Sequence, residues 1–113
     1  MQTDTALTKL SALAQEARLD IFRLLIEQGS EGLSVGVIRD RLGLANATLS
    51  FHLKELTQAG LIQRRPAGRH IYYAADIDTM NALIDYLTEN CCRNQRSDCS
   101  TPGHLKPCES SRP

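Results

Sequence analysis

The stretch Asn46–Ala74, NATLSFHLKELTQAGLIQRRPAGRHIYYA, restricts the fold of this chain more than any other segment. Its first half places Leu49, Leu53 and Leu56 at i, i+4 and i+7, a spacing that gathers them on one face of a helix. At about 100° per residue, Ala47, Ser50, Phe51 and Lys54 fall on the opposite face. Gly60 stands where a left-handed residue ends a helix at little cost. Two short runs rich in Arg, Tyr and Ile follow, Ile62–Arg65 and His70–Ala74. The turn signal Pro66-Ala67-Gly68 lies between them, so a basic β-hairpin is expected. The outward face of the helix offers small, hydroxyl, cationic and aromatic groups, which suit the polar and methyl edges of a DNA major groove.

The segments before this stretch read as three helices. Thr3-Asp4-Thr5 offers capping residues ahead of a short helix, Ala6–Ala14, with Leu7, Leu10 and Leu13 or Ala14 repeating every three or four positions. A helix of that length is marginal alone and needs a partner surface. Arg18–Gln28 follows, with Leu19, Phe22, Leu25 and Ile26 on one stripe and Gly29 as its stop. Gln28–Gly32 reads as a loop, and Ser34 caps a third helix, Val35–Leu42, that ends at Gly43. Two helices joined by a tight turn containing Gly have helix-turn-helix geometry. After the hairpin, Asp76 or Asp78 opens a last helix reaching about Asn90, with a broad apolar stripe of Ile77, Met80, Leu83, Ile84 and Leu87.

Residues 1–92 thus form one small domain, mainly α with a β-hairpin wing. Residues 93–113 form a tail that holds three of the four prolines and a lone Leu105, too little apolar surface to order itself. The chain has 113 residues, no apolar run long enough to span a membrane and no secretory leader, so a cytoplasmic protein is expected. Its net charge is zero, which looks wrong for a DNA binder until it is divided. Gly43–Tyr73 carries +3 and Ala74–Asn90 carries −4. Attraction to phosphates follows the local field, so one face is suited to DNA and the other is not.

All four cysteines, Cys91, Cys92, Cys99 and Cys108, lie in the last 23 residues. Structural cysteines would be scattered through the helices, so this clustering argues for chemistry. A reducing compartment argues against stable disulfides. At a fraying helix end, Cys91 and Cys92 can converge on one soft centre, and Cys99 is close enough to loop back. Three thiolates without a fixed fourth partner suit a trigonal soft ion such as As(III) or Sb(III), whereas zinc prefers four ligands. Cys108 or His104 could supply a fourth, which keeps zinc, cadmium and lead as alternatives. Arg93 and Arg96 could lower the thiol pKa values, which keeps a thiol-redox switch as another.

The segments SFHLKELTQAGLI and RRPAGRHIYY resemble the helix-turn-helix and wing of the ArsR/SmtB family of bacterial metal-responsive repressors, over about Leu7–Cys92. The resemblance implies a winged helix-turn-helix fold in the order α-α-α-α-β-β-α. It also implies a homodimer built through the first and last helices, with operator DNA as partner. YLTENCC is similar to the end of the last helix in arsenic-responsive members with C-terminal cysteines. Two other inducer sites of the family are missing. Leu33–Val37, where many members carry a Cys-x-Cys pair, has no cysteine, and Ile77–Asn90 has no histidine.

The expected protein is an arsenite-responsive repressor whose metalloid ligands are Cys91, Cys92 and Cys99. Asn46, Thr48, Ser50, Phe51 and Lys54 are expected at the major groove, with Phe51 against a thymine methyl. Arg64, Arg65, Arg69 and His70 are expected to contact the backbone or minor groove through the wing. His52 is open to two readings, a packed residue or a base contact. Tyr72 and Tyr73 should face opposite sides of the wing, in an order that the sequence leaves open. An enzyme is not expected: there is no Cys-x-x-Cys, no Cys-x5-Arg phosphate loop, no phosphate-cradling glycine loop and no Ser/His/Asp grouping.

Overall fold

The computed structural model describes residues 1–91. In chain order the elements are α1 (Thr3–Leu13), α2 (Glu16–Gln28), β1 (Leu33–Ser34), α3 (Val35–Leu42), α4 (Asn46–Gln58), β2 (Ile62–Ala67), β3 (His70–Ala75) and α5 (Ile77–Thr88). The winged helix-turn-helix order expected from the sequence is present, with one added strand. Cys92, the last residue of the expected domain, and the whole 93–113 tail with Cys99, His104 and Cys108 lie outside the described residues.

Local chemistry accounts for most of the helix ends. The Ser34 hydroxyl accepts from the Val37 N–H at 3.4 Å and starts α3, which ends at Gly43 in the left-handed region. Gln15 accepts from the Arg18 N–H, so α2 begins at Glu16 rather than at Arg18. α1 begins earlier than Thr3-Asp4-Thr5 suggested. Those residues are helical, and Gln2 precedes them without a side-chain cap. The Thr3 hydroxyl instead meets the Tyr86 hydroxyl of α5 at 2.6 Å.

Asp76 accepts from the Thr79 N–H at 3.0 Å and opens α5. That backbone hydrogen bond, with the Gln63 amide, holds its carboxyl pKa below the ordinary 3.8 despite partial burial. Asp76→Ala is expected to lower stability by about 1 kcal/mol, the usual effect of losing an N-cap, read from the shift in thermal midpoint. Because the folded pKa is depressed, Asp76 stabilises fully above pH 3.8, and the contribution is lost as pH falls below it.

α5 ends at Thr88 rather than near Asn90. Thr88 bonds back to the Ile84 carbonyl, Glu89 turns extended, and Asn90 takes φ 63, a conformation that Asn tolerates better than most residues. Cys91 is therefore in a turn beyond the helix, its N–H bonded to the Thr88 carbonyl at 2.9 Å.

The sheet is antiparallel in the order β1-β3-β2. β1 is two residues long and is defined by pairing Leu33 with Tyr73 and Ser34 with Tyr72. The wing strands are longer than expected, and Pro66 and Ala67 belong to β2 rather than to the turn. β2 is an edge strand, where a missing N–H is tolerated. The turn itself is Gly68-Arg69, with Gly68 at φ 64 and Arg69 outside the positive-φ region, the pattern of a type II′ hairpin. Tyr73 shares a face with Ile62 and Ala75 and packs on the core, which leaves Tyr72 on the outer face near His70.

Ile21, Leu25, Ile38, Leu49, Leu56 and Leu61 are fully buried and form the centre of the core, drawn from α2, α3, α4 and the start of the wing. α1 buries only Ala6, and α5 only Leu83 and Thr88. Leu7, Leu10, Ile77 and Leu87 on these two helices remain exposed, Leu7 and Leu87 by more than half. No helix among the described residues is long and apolar enough to cross a membrane.

Candidate nucleic-acid interface

The reading face is built by α3, its turn and α4. Gly43 closes α3 through its N–H to the Arg39 carbonyl at 2.8 Å, and Ala45 begins α4 with no side chain over the first N–H groups. Helix N-termini of this kind offer their N–H groups to phosphate. Arg39 donates to the Asn46 side-chain oxygen at 3.1 Å, so α3 holds the first residue of α4.

Along α4, Leu49, His52, Leu53 and Leu56 are buried, while Ala47, Ser50, Phe51 and Lys54 are exposed. Asn46 and Thr48 are exposed at the two edges of that face. Phe51 is 55% exposed and meets the His52 ring edge-on. A large aromatic side chain turned outward is the least easily explained residue of a free helix, and it suits an apolar contact with a base.

The wing brings together part of its expected set. Arg64, Arg69 and His70 are exposed, with Arg69 in the hairpin turn. Arg65 is exposed as well, and its guanidinium donates to the Ser30 carbonyl at 2.5 Å and to Gln63 at 3.2 Å. It ties the wing to the loop after α2. Alternation along β2 separates it from Arg64, which pairs with Tyr73 on the other face.

His52 is a packed residue rather than an exposed one. Arg18 of α2 donates to its Nδ1 at 3.4 Å, so the neutral ring carries its proton on Nε2. The same guanidinium donates from Nε to the Ala12 carbonyl of α1 at 2.7 Å. Burial first, then the Arg18 charge, lowers the His52 pKa from 6.5, against a smaller opposing pull from Glu55. The neutral ring is thus the folded form, and protonation favours unfolding. Stability from His52 is full above pH 6.5 and is lost as pH falls through its lower folded pKa. A thermal melt series from pH 7.5 to pH 5 should show a falling midpoint, with a shallower fall in His52→Gln.

Arg18, Arg39 and Lys9, which hold α4 through its side chains and its last carbonyls, carry no signal in the sequence. Long polar side chains that reach distant carbonyls leave no periodic signal. Among the described residues, no group of three or more His, Cys, Asp and Glu side chains could hold a metal ion. Cys91 is half-buried at the edge of the described chain, and Cys92 and Cys99 lie beyond it.

An exposed face on the second helix of a helix-turn-helix, beside a basic hairpin, defines a winged helix-turn-helix DNA-binding protein. Residues 13–65 match the family model described as a helix-turn-helix domain. The chain is 33% identical over 88 residues to the transcriptional activator HlyU of Vibrio cholerae, covering 78% of this chain and 79% of that one. It is 32% identical over 84 residues to the arsenical resistance operon repressor of Bacillus subtilis, covering 74% and 76%. Among solved structures it is similar to the homodimeric winged helix-turn-helix domain of Mb0332 from Mycobacterium bovis, described as a possible ArsR-family regulator. The TM-score is 0.61 at 27% identity, over 87% of this chain and 89% of that one. This chain belongs to the ArsR family of winged helix-turn-helix transcriptional regulators.

Proposed function

We propose that the protein is a homodimeric transcriptional repressor that binds operator DNA and releases it when arsenite, or antimonite, binds Cys91, Cys92 and Cys99. The observation that carries this reading is the gathering of every cysteine at or beyond the end of α5, in a chain whose α4 and wing suit duplex DNA. The similarity to an arsenical resistance operon repressor supports the same inducer class.

Exposed Leu7, Leu10, Ile77 and Leu87 supply the apolar surface for a two-fold through α1 and α5. Such a two-fold sets two copies of α4 in successive major grooves, about 34 Å apart. Asn46, Thr48, Ser50, Phe51 and Lys54 read base edges, while Arg64, Arg69 and His70 contact phosphates. Arg65 adds charge while bracing the wing. Phosphate contacts set register and affinity, and the helix sets sequence choice.

Arsenite enters as As(OH)3. Three As–S bonds replace three As–O bonds, and the hydroxyl groups leave as water with the thiol protons. Closure of that ring draws the tail against the end of α5, whose Tyr86 is bonded to Thr3 of α1. The dimer then favours a spacing of recognition helices that no longer matches the grooves. A hundredfold loss of DNA affinity needs a coupling of about 3 kcal/mol, within the ordinary allosteric range.

The test is a near-ultraviolet titration of reduced protein with arsenite. A thiolate-to-arsenic band should saturate at one equivalent per subunit and weaken or vanish in Cys99→Ser. Saturation unchanged by that substitution would replace Cys99 by a two-thiolate site or by Cys108. No band at all would remove arsenite as the inducer. Release of DNA by oxidant, reversed by reductant without metalloid, would put a redox switch in its place.

A further inference from the structure

Two polar contacts fasten the recognition helix to α1, and neither uses a side chain of its exposed face. Lys9 of α1 donates from Nζ to the Ala59 carbonyl at 2.6 Å. Ala59 caps the C-terminus of α4, where carbonyls lack helical partners and the helix dipole favours a cation. Gly60 beyond it sits at φ 79, and a Cβ there would come within 3.1 Å of the ammonium. The second contact is Arg18, which links the Ala12 carbonyl of α1 to His52 on the second turn of α4.

His52 and Ala59 are seven residues apart, about 10 Å along the helix axis. Two fixed points that far apart define the tilt of a rod, which one point would not. Both are referred to α1, since Lys9 belongs to it and Arg18 is held by its Ala12 carbonyl. Between the contacts the two helices do not close on each other. A groove of about 460 Å³ runs there, lined by Thr8, Ser11, Glu55 and Gln58 among others. Leu49, Leu53 and Leu56 bury the adjoining strip of α4, but apolar burial is non-directional, whereas hydrogen bonds are directional.

We propose that Lys9 and Arg18 are positioning residues for DNA reading: they set the bearing of α4 against α1, and so the fit of the exposed face to its groove. The inference rests on the DNA-binding reading above. It adds that sequence discrimination, rather than general affinity, depends on a lysine that touches no DNA.

The experiment uses the full chain and a duplex selected by the wild-type protein from a random library, with an unselected duplex beside it. Lys9→Met keeps most of the stem and removes the donor; Lys9→Arg keeps a donor. Lys9→Met should bind the selected duplex about tenfold more weakly, the equivalent of one lost charged hydrogen bond. Affinity for the unselected duplex and the salt dependence of binding should stay unchanged, and Lys9→Arg should restore discrimination. Lys9→Leu, which also lacks a donor, serves the same comparison if Lys9→Met does not fold. Equal losses on both duplexes with a shallower salt dependence would overturn the inference, because Lys9 would then be a phosphate contact. Unchanged discrimination in a folded Lys9→Met would overturn it as well. A wild-type chain that selects no duplex would instead overturn the DNA-binding reading, and this inference with it.

Discussion

Replacing Arg64 and Arg69 together by alanine is expected to weaken binding to any duplex by about a hundredfold at 50 mM salt, and by less at 200 mM. Both side chains are exposed on the wing, one on β2 and one in the hairpin turn. In a dimer the change removes four cations. Each neutralised phosphate contributes about 0.9 to the slope of log affinity against log salt, so the slope should become shallower by about 3.6. The loss should be nearly the same on selected and unselected DNA, because phosphates carry no sequence. Fluorescence anisotropy at several salt concentrations measures both quantities. A change confined to the selected duplex would place these arginines on base edges instead. Thermal stability should hardly move, since both side chains are exposed.

The second large effect is expected from Cys91→Ser combined with Cys92→Ser. This protein should bind its duplex as well as the wild type does and should ignore arsenite at concentrations that release the wild type. The change is from about a hundredfold response to none. The physical reason is the donor: a serine hydroxyl is a hard, protonated oxygen near neutral pH and does not replace a thiolate on a soft trigonal ion. Cys91 lies beyond α5 in a turn and is only half-buried, so the fold should tolerate the exchange. Loss of DNA binding in the double variant would make these cysteines structural rather than sensory.

The sequence was most legible where a local signal stood alone. Ser34 and Gly43 bracket α3 at the limits that its sequence signals, and the leucine spacing of α4 matches its buried face. The start of α1 is not legible locally: Thr3 and Thr5 have the composition of caps, but the helix runs through them and Thr3 turns to Tyr86 instead. β1 is two residues long, too short to show alternation, and exists only through its pairing with β3. The same pairing register decides that Tyr73 faces inward, a fact about distant residues that Tyr72-Tyr73 does not encode locally.

The candidate site divides in the same way. Helical spacing placed Ser50, Phe51 and Lys54 on an exposed face, because periodicity reports exposure directly. It could not report that Arg65 is held by Ser30, or that Arg18 bridges α1 to His52. Those contacts depend on where a loop and a separate helix arrive in space. The clustering of the cysteines is what suggests chemistry in the sequence, and among them only Cys91 falls within the described residues.

The most direct measurement is the anisotropy of a fluorescent duplex, selected by the protein itself, during addition of arsenite to the reduced complex. The value should fall to that of free DNA as arsenite approaches one equivalent per subunit. It should recover when a small dithiol removes the metalloid, and stay high throughout for Cys91→Ser with Cys92→Ser. A wild-type complex that keeps its anisotropy while arsenite is in excess would contradict the central claim, leaving a DNA-binding regulator that answers to some other signal.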